Sequence, residues 1–195
     1  MRYTPHSTDQ ELIEGCRNAD RLAQKCLYDR YAGKMYGIAL RYTKHQEEAI
    51  EILNNAFLKV FTSLQKYEDQ NNLGGWIAKI VFNTAIDYVR QHVKYKKVME
   101  FDVQTETPIQ NNALNQLQTE DIYALIQQLP AASRAVFSLY VIDGYKHKEV
   151  ADILGITEGT SKWHLSYARQ ELQKMLDQQQ KKEKDVVSSY KLRLA

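Results

Sequence analysis

An apolar stripe between residues 50 and 64 limits the fold more than any other feature of this sequence. Apolar side chains recur there at intervals of three and four residues, namely Ile50, Leu53, Phe57, Val60, Phe61 and Leu64. This is the spacing of one face of an α-helix, whereas a β-strand would alternate at every second residue. The stripe therefore predicts a helix of about four turns with one face buried.

The same preference for helices extends along the whole chain. Only three Pro and eight Gly occur in 195 residues, and the intervening segments mix apolar residues with good helix formers such as Gln, Lys, Leu and Ala. With 44% hydrophobic residues, the chain has enough apolar material for a packed core. We therefore expect an all-α fold.

The helix predicted around residues 50–64 also carries apolar residues away from its main stripe. Ile52, Ala56 and Leu58 lie beside the polar residues Glu48, Glu51, Asn54 and Asn55. Two interpretations are open for this second face. Either a partner protein covers it, or another helix of the same domain does.

The first 45 residues predict further helices. Thr8 and Glu11 have the spacing of a capping box, so a helix is expected to start there and to break near Asn18 and Asp20. Two more helical stretches are predicted, one on either side of Gly33. The two cysteines, Cys16 and Cys26, sit among apolar neighbours and are interpreted as buried thiols.

A basic helix is predicted after a polar loop at residues 67–75. From Trp76 to Val89 apolar residues follow one face, while the other face is positively charged, with Lys79, Arg90, Lys94, Lys96 and Lys97, interleaved with Asn83 and Tyr95. Cations mixed with amide and aromatic groups suit phosphates and unstacked bases. An ordinary solvated helix end would have a similar composition.

A change in composition divides the chain. No Lys or Arg occurs from Val98 to Ser133, where five acids do, and residues 100–115 are rich in Gln, Asn and Thr and lack helical stripes. This predicts a flexible acidic linker between two small helical domains. The expected boundaries are 8–97 for the first domain, 98–118 for the linker, 119–177 for the second domain and 178–195 for a tail.

The second domain carries the pattern of a helix-turn-helix. Val150, Ala151 and Leu154 form an inward stripe, Gly155 permits a sharp turn, and Thr157 is placed to cap the next helix. If the next helix turns Ser161, Leu165, Ala168 and Leu172 inward, its outward and flanking positions are Lys162, Trp163, Ser166, Tyr167 and Arg169. Such a helix could read DNA. The alternative is a plain helical hairpin with Trp163 in its core.

Two segments in this order resemble a known family. "EEAIEILNNAFLKVFTSLQKYEDQNNLGGWIAKIVFNTAIDYVRQ", an acidic linker and "LPAASRAVFSLYVIDGYKHKEVADILGITEGTSKWHLSYARQEL" are similar to the extracytoplasmic-function (ECF) sigma factors, the two-domain branch of the bacterial sigma-70 family. The resemblance covers about residues 9–176. The "EGTSK" segment is similar to members from Bacteroidetes.

The resemblance implies a transcription initiation subunit with three contact surfaces. The first would bind core RNA polymerase, at the clamp helices of its largest subunit, through Glu48, Glu51, Ile52, Asn54 and Asn55. The second would bind the melted minus-10 promoter element through Lys79, Asn83, Arg90 and Lys94. The third would bind the minus-35 duplex through Lys148, Thr160, Lys162, Trp163, Ser166, Tyr167 and Arg169. A membrane-associated anti-sigma factor is a further expected partner.

The chain departs from the family pattern at two of these surfaces. The family usually has Asp, Gln and an acid where this chain has Glu51, Asn54 and Asn55, so one charge facing the polymerase is missing. It more often has Val, Ser and Arg where this chain has Ser161, Trp163 and His164. The general pattern therefore does not predict which minus-35 sequence is recognised.

Two other functions remain to be weighed against a sigma factor. One is a helix-turn-helix regulator that binds DNA as a dimer, and the other is a sigma mimic that titrates an anti-sigma factor. An enzyme is not expected, and neither a cofactor nor a metal ion, because the sequence has no phosphate loop, nucleophile elbow or metal-ligand cluster and its five His are scattered. With no apolar run of about 20 residues and no signal segment, a cytoplasmic protein is expected.

Overall fold

The computed structural model describes residues 3–68, 72–99 and 119–193, without the side chains of residues 93–99, 119–122 and 179–193. Every regular element in these ranges is helical, which confirms the all-α expectation. The chain divides into two compact units, Met1–Val103 and Gln104–Ala195. Most of the predicted linker, residues 100–118, lies outside the described residues. The exact boundaries of domains, linker and tail stay predictions.

The first unit contains four helices. They are α1 (Asp9–Arg17), α2 (Arg21–Leu40), α3 (Gln46–Ser63), which runs into a short 3-10 turn (Leu64–Lys66), and α4 (Leu73–Met99). The predicted capping box opens α1: the Thr8 backbone N–H donates to Glu11 over 2.7 Å, and the Glu11 N–H donates to the Thr8 hydroxyl over 3.3 Å. Cys16 and Cys26 are buried free thiols, as predicted.

Two predicted boundaries in this unit are wrong. α2 passes through Gly33 as one continuous helix, because a glycine weakens a helix without ending it when neighbouring helices pack along its face. The loop predicted for residues 67–75 ends earlier, since α4 begins at Leu73. The Asn72 side chain accepts a 2.9 Å hydrogen bond from the Gly75 N–H and so supplies the cap.

The apolar stripe of α3 is rotated from its predicted position. Leu53, Phe57, Val60 and Leu64 are buried as expected, but Ile50 is 47% exposed and Ile52 only 2% exposed. Both α2 and α4 pack against α3, so its buried surface is wider than one stripe. Helices of the same unit therefore cover Ile52 and Ala56, whereas Leu58, the third apolar residue of the second face, stays 64% exposed.

The second unit has a helix-turn-helix at its centre. Its helices are α5 (Thr119–Gln127), α6 (Ala131–Phe137) with a turn of π-helix after it (Ser138–Ile142), α7 (His147–Leu154) and α8 (Glu158–Arg193). Gly155 lies between α7 and α8 in the left-handed region, with φ of 68°, as a tight helix end requires. α8 continues as a helix beyond residue 177, where a tail was predicted. In the described ranges, no helix combines the length and apolarity needed to cross a membrane.

Candidate functional site

The first half of α8 separates an inward from an outward face as the sequence predicted. Ser161, Leu165 and Ala168 are buried, whereas Leu172, predicted to face inward with them, is half-buried. Of the residues predicted to contact the minus-35 element, Lys162, Trp163, Ser166 and Arg169 are exposed, as is Lys148 on α7, whereas Thr160 and Tyr167 are half-buried. Trp163 is 60% exposed. A hairpin with Trp163 in its core is therefore excluded.

The start of α8 is capped locally. The Thr160 backbone N–H donates to the Thr157 hydroxyl over 3.1 Å, and the two threonine hydroxyls lie 2.8 Å apart. Thr157 is thus the cap that the sequence predicted. Thr160, predicted to bind DNA, has its hydroxyl engaged in this cap.

Two serine–histidine hydrogen bonds hold α8 against the other helices of its unit. His147 Nδ1 lies 2.9 Å from Ser161 Oγ, linking the start of α7 to α8, and His164 Nδ1 lies 2.9 Å from Ser133 Oγ on α6. The His147 ring also stacks on Tyr140, with centroids 4.3 Å apart. Sequence reasoning missed both bonds because their partners are 14 and 31 residues apart and follow no local pattern.

The positive charge of Lys162 is shared with an acid on the same helix. Its Nζ lies 2.7 Å from Glu158 Oε1 one turn earlier. The hydrogen bond and the charge of Lys162 lower the pKa of Glu158, so this carboxylate is ionised near neutral pH. The first turns of α8 therefore carry an ion pair instead of a lone cation.

Next to this ion pair lies an aromatic pair, formed by Trp163 and Tyr167. Their rings stack with centroids 5.5 Å apart and an angle of 17° between the planes. The rings of His164 and Trp163 meet edge to face, with centroids 4.9 Å apart. The outward face of α8 thus presents a flat apolar surface beside polar and charged groups.

A second candidate surface lies on α4. Lys79, Asn83, Asp87 and Arg90 are all exposed, and their spacing places them on one side of the helix. Asp87 lies 3.8 Å from Arg90 and 3.9 Å from Lys59 of α3. A carboxylate therefore sits within this otherwise basic face. Lys94 is on the same helix, but its side chain lies outside the described ones.

Arg17 anchors the segment that leads into α4. Its guanidinium donates to the carbonyl of Leu64 over 3.0 Å and to that of Tyr67 over 2.5 Å. In return the Gln65 amide donates to the Arg17 carbonyl over 2.7 Å. Together with the Asn72 cap, these bonds fix both ends of the short connection between the 3-10 turn and α4. Arg17 had no functional signal in the sequence.

A third candidate surface lies on α3. Glu51, Asn54 and Asn55 are exposed as predicted, and Leu58 beside them is 64% exposed. The Tyr28 hydroxyl donates to Asn54 Oδ1 over 3.3 Å, which orients the amide. The prediction that Ile52 faces a partner is wrong, because its side chain is in the core of the unit.

Glu48, also predicted for this surface, has a role inside the unit. Its carboxylate accepts hydrogen bonds from the backbone N–H groups of Lys44, over 2.9 Å, and His45, over 3.2 Å. Burial alone would raise its pKa, but these bonds, together with one from Tyr88, lower the pKa overall. Glu48 therefore stabilises the start of α3 as a carboxylate.

Comparison with protein-family models shows which family regions contain these three surfaces. The family model described as Sigma-70 region 2 matches residues 27–95, which hold α3 and most of α4. The model described as Sigma-70, region 4 matches residues 119–172, which hold the helix-turn-helix. The chain belongs to the sigma-70 family. This sigma factor thus has its α8 surface in region 4 and its α3 and α4 surfaces in region 2.

Curated relatives of this sigma factor include ECF sigma factors, and it belongs to this branch of the family. It is 23% identical over 176 residues to the ECF RNA polymerase sigma-E factor of Haemophilus influenzae, with 84% of this chain and 92% of the relative covered. It is 26% identical over 140 residues to the RNA polymerase sigma factor SigV of Bacillus subtilis, with 72% and 82% covered. Among solved structures, the sigma factor RpoE of Bartonella quintana, in complex with the anti-sigma factor NepR, is 20% identical, with a TM-score of 0.46 and coverage of 78% and 96%.

Proposed function

We propose that this sigma factor directs core RNA polymerase to specific promoters, by reading the minus-35 element as duplex and the minus-10 element as melted DNA. One observation carries the proposal. The two sigma-70 regions match in the family's order on two separate compact units, and the helix-turn-helix of region 4 exposes polar, cationic and aromatic groups at the start of its second helix.

In the second unit, α8 enters the major groove with its first turns. Lys162, Trp163 and Ser166 face base edges, while Lys148 and Arg169 contact phosphates on either side. The serine–histidine bonds set the angle of α8 before DNA arrives, so less conformational freedom is lost on binding. Tyr167 supports Trp163 from behind.

In the first unit, α4 binds the strand exposed by melting. Lys79 and Arg90 contact phosphates, Asn83 hydrogen-bonds an unstacked base, and Lys94 extends the basic surface along the helix. Unpairing costs a few kcal/mol per base. Capturing bases against this face and the segment that Arg17 anchors offsets part of that cost.

Polymerase contact is assigned to the exposed face of α3, through Glu51, Asn54, Asn55 and Leu58. The net charge of the chain is only +2, so each small unit alone is expected to bind DNA weakly. Core polymerase raises the affinity by fixing both units at the spacing of a promoter. Promoter specificity then arises only in the assembled holoenzyme.

The proposal includes a regulatory partner and a location. An anti-sigma factor, associated with the membrane, would hold this cytoplasmic protein inactive until released. The chain itself carries out no catalysis, since the phosphoryl-transfer chemistry belongs to the polymerase. Membership of a Bacteroidetes lineage stays a prediction.

Run-off transcription tests the proposal directly. Genomic fragments are transcribed by matched bacterial core polymerase with and without this chain, and new defined start sites are expected only with it. Retained binding to core without any transcripts would instead indicate a sigma mimic. Failure to bind core, combined with binding of a palindromic site as a dimer, would indicate a conventional regulator.

A further inference from the structure

The aromatic pair on α8 is an unusual surface for a small unit to expose. Trp163 is 60% exposed although it is among the largest apolar side chains, and it lies within the first two turns of α8, which begins at Glu158. Exposed apolar surface that is flanked by polar groups commonly marks a binding site. The position of the pair on the second helix of a helix-turn-helix indicates DNA as the ligand.

The indole ring is held in place before any ligand binds. Tyr167 stacks on it, and the His164 ring contacts it in an edge-to-face arrangement. His164 is in turn bonded to Ser133 on another helix. A ring supported on two sides loses little freedom when a ligand packs against it.

The chemistry of this surface favours one group in the major groove. The 5-methyl of thymine is the apolar group that base edges present there, whereas guanine is read by cationic side chains. The cation beside Trp163 is Lys162, which already lies 2.7 Å from Glu158. The surface is therefore better suited to methyl groups than to guanine.

We infer that Trp163 is a specificity-determining residue that reads thymine 5-methyl groups in the minus-35 element. The inference rests on the proposed function, in which α8 lies in the major groove. It adds a base preference that the general family pattern does not give. The minus-35 element is accordingly expected to carry at least one thymine opposite Trp163.

Replacing thymine by uracil removes this methyl group and nothing else. Promoter fragments found by run-off transcription are rebuilt with one uracil at a time through the minus-35 element, and the affinity of the holoenzyme is measured. For the holoenzyme that keeps Trp163, uracil is expected to lower the affinity about fourfold at one or two positions. This is the effect of one buried methyl group. With Trp163→Ala the uracil and thymine fragments are expected to bind equally.

Two further variants sharpen the test. Trp163→Phe keeps an aromatic surface and is expected to restore part of the thymine preference. Val141→Ala removes another exposed apolar side chain from the same unit, 47% exposed, and is expected to keep the full preference. Circular dichroism checks that each variant is folded.

Two results would overturn the inference. One is a natural holoenzyme that binds thymine and uracil fragments equally at every minus-35 position. The other is a uracil effect that persists unchanged in Trp163→Ala. If no promoter-specific transcripts form at all, the proposed function fails and the inference with it, a failure visible before any uracil is introduced.

Discussion

His147 Nδ1 lies 2.9 Å from the hydroxyl of Ser161, and this bond joins the start of α7 to the buried face of α8. Ser161 is fully buried, so its hydroxyl depends on a partner inside the protein. The bond crosses the turn of the helix-turn-helix and makes the geometry of α8 depend on an imidazole.

Removing the hydroxyl of Ser161 should destabilise the second unit. Ser161→Ala leaves His147 without this partner and is expected to lower the free energy of unfolding by about 1–2 kcal/mol. Chemical denaturation followed by circular dichroism measures the change. Ser166→Ala, on the exposed face of the same helix, serves as control and should change stability little. Equal effects of the two substitutions would contradict the role given to the bond.

Gly155 should resist substitution for a purely conformational reason. A Cβ added there would meet no atom within 4 Å, but φ is +68°, so Gly155→Ala is expected to cost about 1–2 kcal/mol through backbone strain. Gly159→Ala, four residues later inside α8, is the matched control and should be neutral or stabilising. The thermal unfolding midpoint compares the two. A loss that is no larger at Gly155 than at Gly159 would speak against the strain.

Arg17 is expected to act on promoter opening through the segment that precedes α4. Arg17→Ala removes the bonds to the carbonyls of Leu64 and Tyr67 and so loosens that segment. Opening, measured by permanganate reactivity of unpaired thymines, should fall about tenfold, with binding to core polymerase unchanged. Arg21→Ala, an exposed arginine of α2, should leave opening intact. A loss of core binding in Arg17→Ala would show that the whole unit is disturbed.

Asp87 is expected to limit the affinity of the α4 face for DNA. Asp87→Asn removes the carboxylate near Arg90 and Lys59, so promoter affinity should rise about threefold at low salt and depend more steeply on salt concentration. Asp29→Asn, which breaks an exposed pair with Lys25 on α2, is the control. If both variants change the salt dependence equally, the effect comes from net charge and not from this surface.

Glu48 should make stability depend on pH in the acid range. Its pKa in the folded state is below the ordinary value of 4.5, so the stability it contributes is present above that value and is lost as the pH falls through the folded pKa. Glu48→Gln keeps an acceptor oxygen but does not titrate, and its stability should vary less below about pH 4.5. Urea unfolding from pH 3 to pH 7 tests this. Glu47→Gln, in the same turn and exposed, should retain the dependence of the natural protein.

Local patterns predicted the parts of the fold that local chemistry decides. The capping box of Thr8 and Glu11, the turn at Gly155 and the inward face of α8 each follow from residues a few positions apart. By contrast, the exposure of Ile50 and the burial of Ile52 depend on which side of α3 the helices α2 and α4 occupy. Both residues are apolar, so periodicity alone did not distinguish them.

In the candidate sites, too, local patterns predicted some features and missed others. The exposed residues of α8 were predictable because the opposite face of the helix repeats buried residues at helical spacing. The contacts that position them were not, since His164 reaches Ser133 on another helix and Arg17 bonds carbonyls about 50 residues away. Every residue has a backbone carbonyl, so a side chain that binds one leaves no recognisable pattern in the sequence.

Burial of the native thiols also makes this protein easy to label. The chain has only two cysteines, and both are buried. Burial, with smaller contributions from Asp20 and Cys26, raises the pKa of Cys16 to about 11, so hardly any of it is the reactive thiolate at pH 7. A cysteine introduced at the exposed position Gln170 would therefore take up a maleimide dye selectively. A fluorophore could then report from α8 with both natural cysteines left in place.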